Sequence, residues 1–275
     1  MTKTLLIISG GEASVDVARR AKAGGHAVVV SDADPQAPAF AFADSCLIAD
    51  VHGANETASA AERYNRKIRK IDGVVCTADA VLTSATVADR LRLPGPPLHV
   101  AELINDRLMV GRCFASAGIA APWHAEIFTP QELQRAIIGR GRDLVVRPVE
   151  NRGPEGTVLL SGVDDFNAAF QRARFHSPSE RVMVQQWLEG PRLHIASLLL
   201  SGVCHMAGSP EKSAADTMSR AASALGITDG PMVSEIVMHN GVPHVTEISA
   251  RLGGFLDAAT RQALGEAVMP NDLQA

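Results

Sequence analysis

Two glutamates and an arginine near the end of this sequence have the types and spacing to handle a cation and a phosphate. Glu235 and Glu247 lie on the two arms of an apolar segment that turns at His239-Asn240-Gly241, and Arg251 follows four residues after Glu247. Asn-Gly between apolar runs is a strong hairpin signal. The parity of the loop decides what the two acids can do. With a three-residue loop and Gly241 left-handed, Met238 faces Val242, Glu235 faces Val245, and Glu247 lies diagonally across on the face of Glu235. Carboxylates roughly 7–8 Å apart can share a divalent cation through oxygen ligands. A two-residue Asn240-Gly241 loop puts Glu247 on the opposite face and ends the metal reading. A surface hairpin with solvated glutamates is the plain alternative. The geometry expected here is the odd loop, with both carboxylates facing Arg147.

These residues need strands and helices to hold them. Residues 3–9 form an apolar run, Gly10-Gly11 a turn, Ala13 to Ala23 a helical pattern, and Val28 to Val30 a second strand leading to Asp32. Cys46 to Ile48 and Gly73 to Cys76 continue as strands, with helices expected over Glu56 to Ile71 and Ala80 to Leu91. Strand, helix and strand in alternation predict an α/β domain with a doubly wound parallel sheet. Gly10-Gly11 with Asp32 about 20 positions on is a fragment of a dinucleotide fingerprint without its third glycine, and a plain strand-to-helix turn is the stronger reading. Pro94-Gly95-Pro96-Pro97 is a stiff break, so the expected division is a first domain over 1–97 and a second over 98–275.

The second half reads as α+β with antiparallel strands. A helix is expected from His99 to Gly118, a strand from Pro122 to Phe128, and a short helix after Thr129-Pro130. Asp143 to Val149 is a strand that carries Arg147 and breaks into the loop Glu150 to Gly156 before extended structure resumes at Thr157. A strand, a glycine-bearing loop and a strand with an arginine at the entrance can cover phosphates; an ordinary charged hairpin fits equally. Val182 to Leu188 is a strand, Leu193 to Leu200 and Val203 to Ala207 a hairpin, Ala214 to Leu225 a helix, and a last helix is expected to about Ala267.

Composition bounds the function. The chain has 275 residues, 46% hydrophobic and 20% charged, with a net charge of −4. No apolar run approaches the roughly 18 residues of a membrane span, no basic block marks a nucleic-acid surface, and the start has too short an apolar core for a signal peptide. The expected setting is cytoplasmic, with no nucleic-acid or membrane partner. Cys46, Cys76, Cys113 and Cys204 are too dispersed for a zinc cluster or a disulfide framework.

Four segments in order resemble the ATP-grasp superfamily of carboxylate–amine ligases. Asn105-Asp106-Arg107 opens a helix ending at Ala117-Gly118-Ile119-Ala120-Ala121-Pro122, similar to the family's Asp-Lys helix and its Gly-Val-x-x-Pro ending. Leu144 to Val149 with Gly153-Pro154-Glu155-Gly156 resembles its Val-Lys-Pro strand and glycine flap. Val182 to Gly190, followed by Pro191-Arg192, is similar to the strand entering its adenine hinge, and the hairpin resembles its metal-binding Glu followed by Glu-x-Asn-x-Arg and two glycines.

The resemblance implies a pre-ATP-grasp α/β domain followed by an ATP-grasp domain, with a flap subdomain over about 122–188 and a C-terminal lobe over about 189–275. It implies ATP and Mg2+, and a reaction joining a small carboxylate to an amine through an acyl phosphate. Arg107 and Arg147 would hold phosphates, Gly153 and Gly156 would let the flap close, and Gln185, Gln186, Leu188 and Arg192 would line the nucleotide. Glu235, Glu247 and Ser249 would bind metal, and Arg251 would stabilise the transferred phosphoryl group. Arginine can serve at both lysine positions because its fork fits phosphate. Departures favour a second reading, a catalytically impaired ATP-grasp-fold protein that binds nucleotide or a partner subunit. Gln185 and Gln186 replace a hinge glutamate, Arg192 a ribose-binding glutamate and Ser249 an asparagine, while Pro154 removes an amide from the flap. A dehydrogenase built on the first domain is a distant third. The shortened C-terminal lobe makes a second copy of the chain the expected protein partner.

Overall fold

The computed structural model describes residues 2–150 and 155–250. Gly153, Arg251 and the expected final helix lie outside them. The described residues form three four-stranded sheets.

The first sheet comprises β1 (Thr4–Ile8), β2 (Ala27–Asp32), β3 (Ser45–Ile48) and β4 (Gly73–Cys76), all parallel in the order β3-β2-β1-β4. A parallel sheet covered on both faces reads as an unbroken apolar run, and β1 is buried at every position. α1 (Glu12–Ala23) places Ala18 and Ala21 against Leu5, Ile7, Val28 and Val30. α2 (Ala54–Lys67) and α3 (Val81–Leu91) pack Ala58, Ala61, Tyr64 and Val87 against Leu6, Ile8 and Val29 on the other face. Asp32 does not await a ligand. Its carboxylate accepts from Gly10 N at 2.7 Å and from Asp34 N at 2.9 Å, which fastens the first strand-to-helix turn and accounts for the glycine pair as architecture.

The expected helix over 99–118 is two helices, α4 (Leu98–Asn105) and α5 (Arg107–Ser116), separated by Asp106 in extended conformation. Its side chain accepts from Met109 N at 2.9 Å and so caps α5. A short carboxylate competes with the helix backbone at such a position and starts a new helix instead. The break also lets Asp106 form a β-bridge with Glu150, and Arg107 N donates to Val149 O at 3.1 Å. α2 likewise stops at Lys67 rather than Ile71, because Asn65 Oδ1 takes Ile71 N at 2.8 Å in the turn that leads to β4.

The second sheet is antiparallel, in the order β5-β8-β6-β7: β5 (His124–Ile127), β6 (Leu144–Pro148), β7 (Val158–Leu159) and β8 (Val182–Gln186). Alternation sorts its residues. Leu144, Val146, Val182 and Val184 pack under α6 (Pro130–Arg140) and α7 (Phe166–Phe175) with Leu133, Leu160 and Phe170. Val145, Arg147 and Gln185 therefore face away from the helices into a cleft.

The third sheet is antiparallel, in the order β10-β9-β11-β12: β9 (Arg192–Leu200), β10 (Val203–Met206), β11 (Gly230–His239) and β12 (Val242–Ser249). One face packs Ile195, Leu199, Met232, Ile236, Val245 and Ile248 against α4, α5 and α8 (Lys212–Leu225) in the largest core cluster. On the other face Ala196 and Val233 reach the α1 side of the parallel sheet, while the polar end faces β6 and β8 across the cleft. No helix among the described residues is long and apolar enough to cross a membrane.

Candidate functional site

The hairpin carrying the two acids corrects the expected loop. His239 pairs directly with Val242, so the turn is the two-residue Asn240-Gly241 with φ of 51° and 77°. Both central residues are left-handed, as the strand-matched hairpin turn demands. Strict alternation from an even turn would place Glu247 on the core side. It does not, because the register shifts between Glu235 and Ile236: Ile236 pairs with Val245 and Glu235 with Glu247, leaving Thr246 as an extra residue. The physical cause is visible on both sides of the bulge. Val245 and Ile248 both enter the apolar core although they are three apart, which strict alternation forbids. Thr246 turns to the cleft and donates its hydroxyl to Glu235 O at 3.1 Å and to Glu235 Oε1 at 2.6 Å. The carboxylates thus share a face, by a route opposite to the one expected.

Glu247 faces Arg147 and Arg107 as well. Arg147 Nη2 donates to Glu247 Oε2 at 2.7 Å and Arg107 Nη2 to Glu247 Oε1 at 2.9 Å, with all three side chains only 10–12% exposed. Arg107 stands at the first position of α5, and its Nη1 also donates to Pro148 O and Glu150 O, at 3.1 and 2.9 Å. Arg147 Nη1 donates to Gln185 Oε1 at 3.2 Å. Burial alone would raise the Glu247 carboxyl, but the two guanidiniums outweigh it and hold its pKa at about 2. Arg107 is pushed down to about 10, first by burial and then by the neighbouring Arg147. Glu247 thus holds two buried arginines, Asp79 adds its attraction on Arg107, and Arg147 Nε has no partner among the described residues. Such a cluster is completed by an anion.

Glu235 faces a different set, which the sequence reading did not foresee. Its Oε1 accepts from Arg192 Nη1 at 2.6 Å as well as from Thr246, and its Oε2 lies 3.2 Å from His194 Nε2. Arg192 also donates to Leu188 O at 3.2 Å, and its guanidinium carbon lies 3.9 Å from the centroid of the Trp187 ring.

Between the two sheets is a cavity of about 330 Å³. Arg147, Gln185, Gln186, Leu188, Arg192, Glu235 and Glu247 line it, so seven of the singled-out residues converge from five strands and the segment after β8. Trp187, Thr157, Thr246, Val145 and Pro122 line it too and were not singled out. Trp187 is one of two tryptophans and adjoins a strand already marked, which is the signal that could have found it. Arg107 reaches the cavity wall through Glu247. Ser249 is buried two residues beyond Glu247, outside that lining, with no partner for its hydroxyl among the described residues. Gly156 has φ of 77°, and a Cβ there would meet His176 Cβ at 2.8 Å and Pro148 Cγ at 2.9 Å. It fits a close approach as well as a flap hinge.

The lower edge of the cleft is tied by charge. Arg181 donates to Asp106 Oδ2 at 2.6 Å and to Glu126 Oε1 at 2.7 Å. Glu150 accepts from Ser177 Oγ at 2.5 Å and from Ser179 Oγ. These contacts fix the start of α5, and with it Arg107, to the residue that enters the flap loop.

No family model matches the sequence. D-alanine–D-alanine ligase B of Pseudomonas syringae pv. tomato is 29% identical over 104 residues, 38% of this chain and 32% of that protein. The chain thus corresponds to about a third of the length of that relative. The L-amino acid ligase of Bacillus licheniformis has a similar structure, with a TM-score of 0.73 at 21% identity over 92% of this chain and 68% of that one. The biotin carboxylase domain of the Hydrogenobacter thermophilus 2-oxoglutarate carboxylase, solved with MgADP, ADP and bicarbonate, gives 0.75 at 15% identity, covering 98% and 70%. The chain has the fold of the ATP-grasp superfamily: a parallel-sheet domain followed by two antiparallel sheets that enclose a cleft.

Proposed function

We propose that the cleft binds ATP and that the chain is a ligase joining a small carboxylate to an amine through an acyl phosphate. The observation that carries the reading is the pair of buried arginines, Arg107 and Arg147, converging on Glu247 at the wall of a cavity of nucleotide-binding size, with Arg147 Nε unpartnered among the described residues. In the reaction a carboxylate oxygen attacks the γ-phosphorus of ATP and ADP departs. The amine then attacks the acyl carbon, inorganic phosphate leaves, and the amine gives up a proton.

The protein's share in such chemistry is positioning and charge stabilisation. Arg147 and Arg107 hold phosphate oxygens, Glu247 fixes the planes of both guanidiniums, and Gln185, Gln186 and Leu188 present the strand end to the base. Gly153 and Gly156 belong to the flap, and Arg251 serves the transferred phosphoryl group. A boundary at 97 and 98 divides the parallel-sheet domain from the ATP-grasp domain.

The donor set fits Mg2+. Glu235 and Glu247 are cross-strand neighbours on one face, all donors are oxygens, and the Ser249 hydroxyl beside them is buried with no partner among the described residues. Among those residues no group of three or more His, Cys, Asp or Glu assembles, so Glu235 and Glu247 would be the acids to hold the ion, together with oxygens from outside the chain. When bound, Mg2+ supplies neutralisation of charge on the phosphates.

One observation favours the non-catalytic alternative, a nucleotide-binding protein without turnover: Arg192 already occupies Glu235. Phosphate release from ATP across a panel of amino-acid and small carboxylate pairs, beside calorimetric ADP binding, separates the readings. Turnover with any pair establishes the ligase, ADP binding without turnover establishes the alternative, and loss of ADP binding in Arg147→Met places the phosphates.

A further inference from the structure

We infer that Arg192 is a built-in cation that holds the place of the metal at Glu235 and must leave that carboxylate when a divalent ion arrives with nucleotide. This rests on the nucleotide-binding reading of the cleft.

A carboxylate offers about four acceptor positions, and Glu235 has three of them filled by protein donors: Arg192, Thr246 and His194. Glu247 is engaged by Arg107 and Arg147. Both acids of the candidate metal edge are therefore compensated by protein cations, and an entering metal ion meets their repulsion unless one of them withdraws. The two arginines on Glu247 are the least able to move, since Arg107 is also tied to two carbonyls and Arg147 to Gln185. Thr246 is fixed by the bulge and donates to the main chain of Glu235 as well.

The partners of Glu235 at the open side are Arg192 and His194, with 28% and 36% of their side chains accessible against 17% for Glu235. Of the two, it is Arg192 that carries the permanent charge and the shorter contact, 2.6 against 3.2 Å. It also has somewhere to stay: stacked on Trp187 and bonded to Leu188 O, it keeps a cation–π contact and a hydrogen bond after Glu235 is given up. Those two contacts lie on the strand end proposed to meet the base. Release of Glu235 thus alters the charge beside the base, so that cation and nucleotide are linked through one side chain. Linkage of this kind is reciprocal.

The probe is Mn2+, titrated at saturating ADP and followed by the electron paramagnetic resonance of the free ion, in wild type, Arg192→Gln, Arg192→Lys, Glu235→Gln and the double variant Arg192→Gln/Glu235→Gln. Removing a charged hydrogen-bond competitor predicts Mn2+ binding about tenfold tighter in Arg192→Gln. Arg192→Lys stays close to wild type because the competing charge is kept. The gain disappears in the Glu235→Gln background, as required of a coupled pair. In a Trp123→Phe background, Trp187 is the remaining tryptophan, and Mn2+ added at saturating ADP changes its emission in wild type but not in Arg192→Gln. Unchanged or weaker Mn2+ binding in Arg192→Gln, with ADP binding intact, overturns the displacement and leaves the nucleotide site standing. Failure of wild type to bind ADP at all overturns both.

Discussion

Replacing Glu247 by glutamine removes the single negative charge between Arg107 and Arg147 while keeping the shape of the side chain. The structure gives the cost in two ways. Breaking a buried pair by removing one partner typically costs about 3–5 kcal/mol, here with two arginines left facing each other. Independently, a carboxyl held at about 2 instead of its ordinary 4.5 contributes roughly 3 kcal/mol at neutral pH by linkage. The sign follows from the depressed value: the contribution is complete above about pH 4.5 and is lost as pH falls toward 2. Roughly 1 kcal/mol of it is gone by pH 3.5. Urea unfolding at pH 7 is expected to show Glu247→Gln less stable by about 3 kcal/mol with an unchanged slope, equivalent to a melting point lower by roughly 6–12 °C. The gap narrows between pH 4.5 and 3.5. Inorganic triphosphate restores part of the loss in the variant, because it supplies the missing anion. Equal stability of the two proteins at pH 7, or a gap that stays constant down to pH 3.5, would refute the buried triad as described.

Further outcomes follow from single contacts. Asp106→Ala removes the cap of α5 and one partner of Arg181; it should cost about 1–2 kcal/mol and weaken ADP binding through the loosened Arg107, read by unfolding and calorimetry. Gly241→Ala puts a Cβ at φ of 77° and should cost about 1 kcal/mol with no change in ADP affinity, since the turn lies away from the cavity lining. Gly156→Ala meets His176 and Pro148 at under 3 Å and should lower stability by more than that substitution does, with faster proteolysis in the loop that follows residue 150.

What could be read from the chain was what local pattern controls. Continuous apolar runs marked the parallel strands, and β6 and β8 were legible as strands, with Arg147 noted at the entrance to the glycine-bearing loop. Asn240-Gly241 marked the hairpin. The bulge was not legible, because Thr246 is extruded by the demand of the core for both Val245 and Ile248, and that demand exists only once α8 and α5 are packed on the sheet. The helix break at Asp106 was hidden for a similar reason: its partners, Glu150 and Arg181, are 44 and 75 residues away. Arg192 and Glu235 are 43 residues apart, and no periodicity links them. The first-domain glycines misdirect in the opposite sense, since Asp32, the acid a dinucleotide would need, is spent on Gly10.

The extra residue in β12 divides the hairpin into two stretches that answer to different masters. From His239 and Val242 inward to Ile236 and Val245 the pairing is counted from the turn; from Glu235 and Glu247 onward it is counted from the cleft. Lengthening the chain at Asn240-Gly241 therefore adds residues to solvent without re-aiming either acid, which makes that turn the natural place to insert a reporter. Deleting Thr246 would remove the bulge and leave plain alternation, with Val245 and Ile248 still in the core and Glu247 still opposite Glu235, so what the extra residue adds to this edge is its hydroxyl on Glu235.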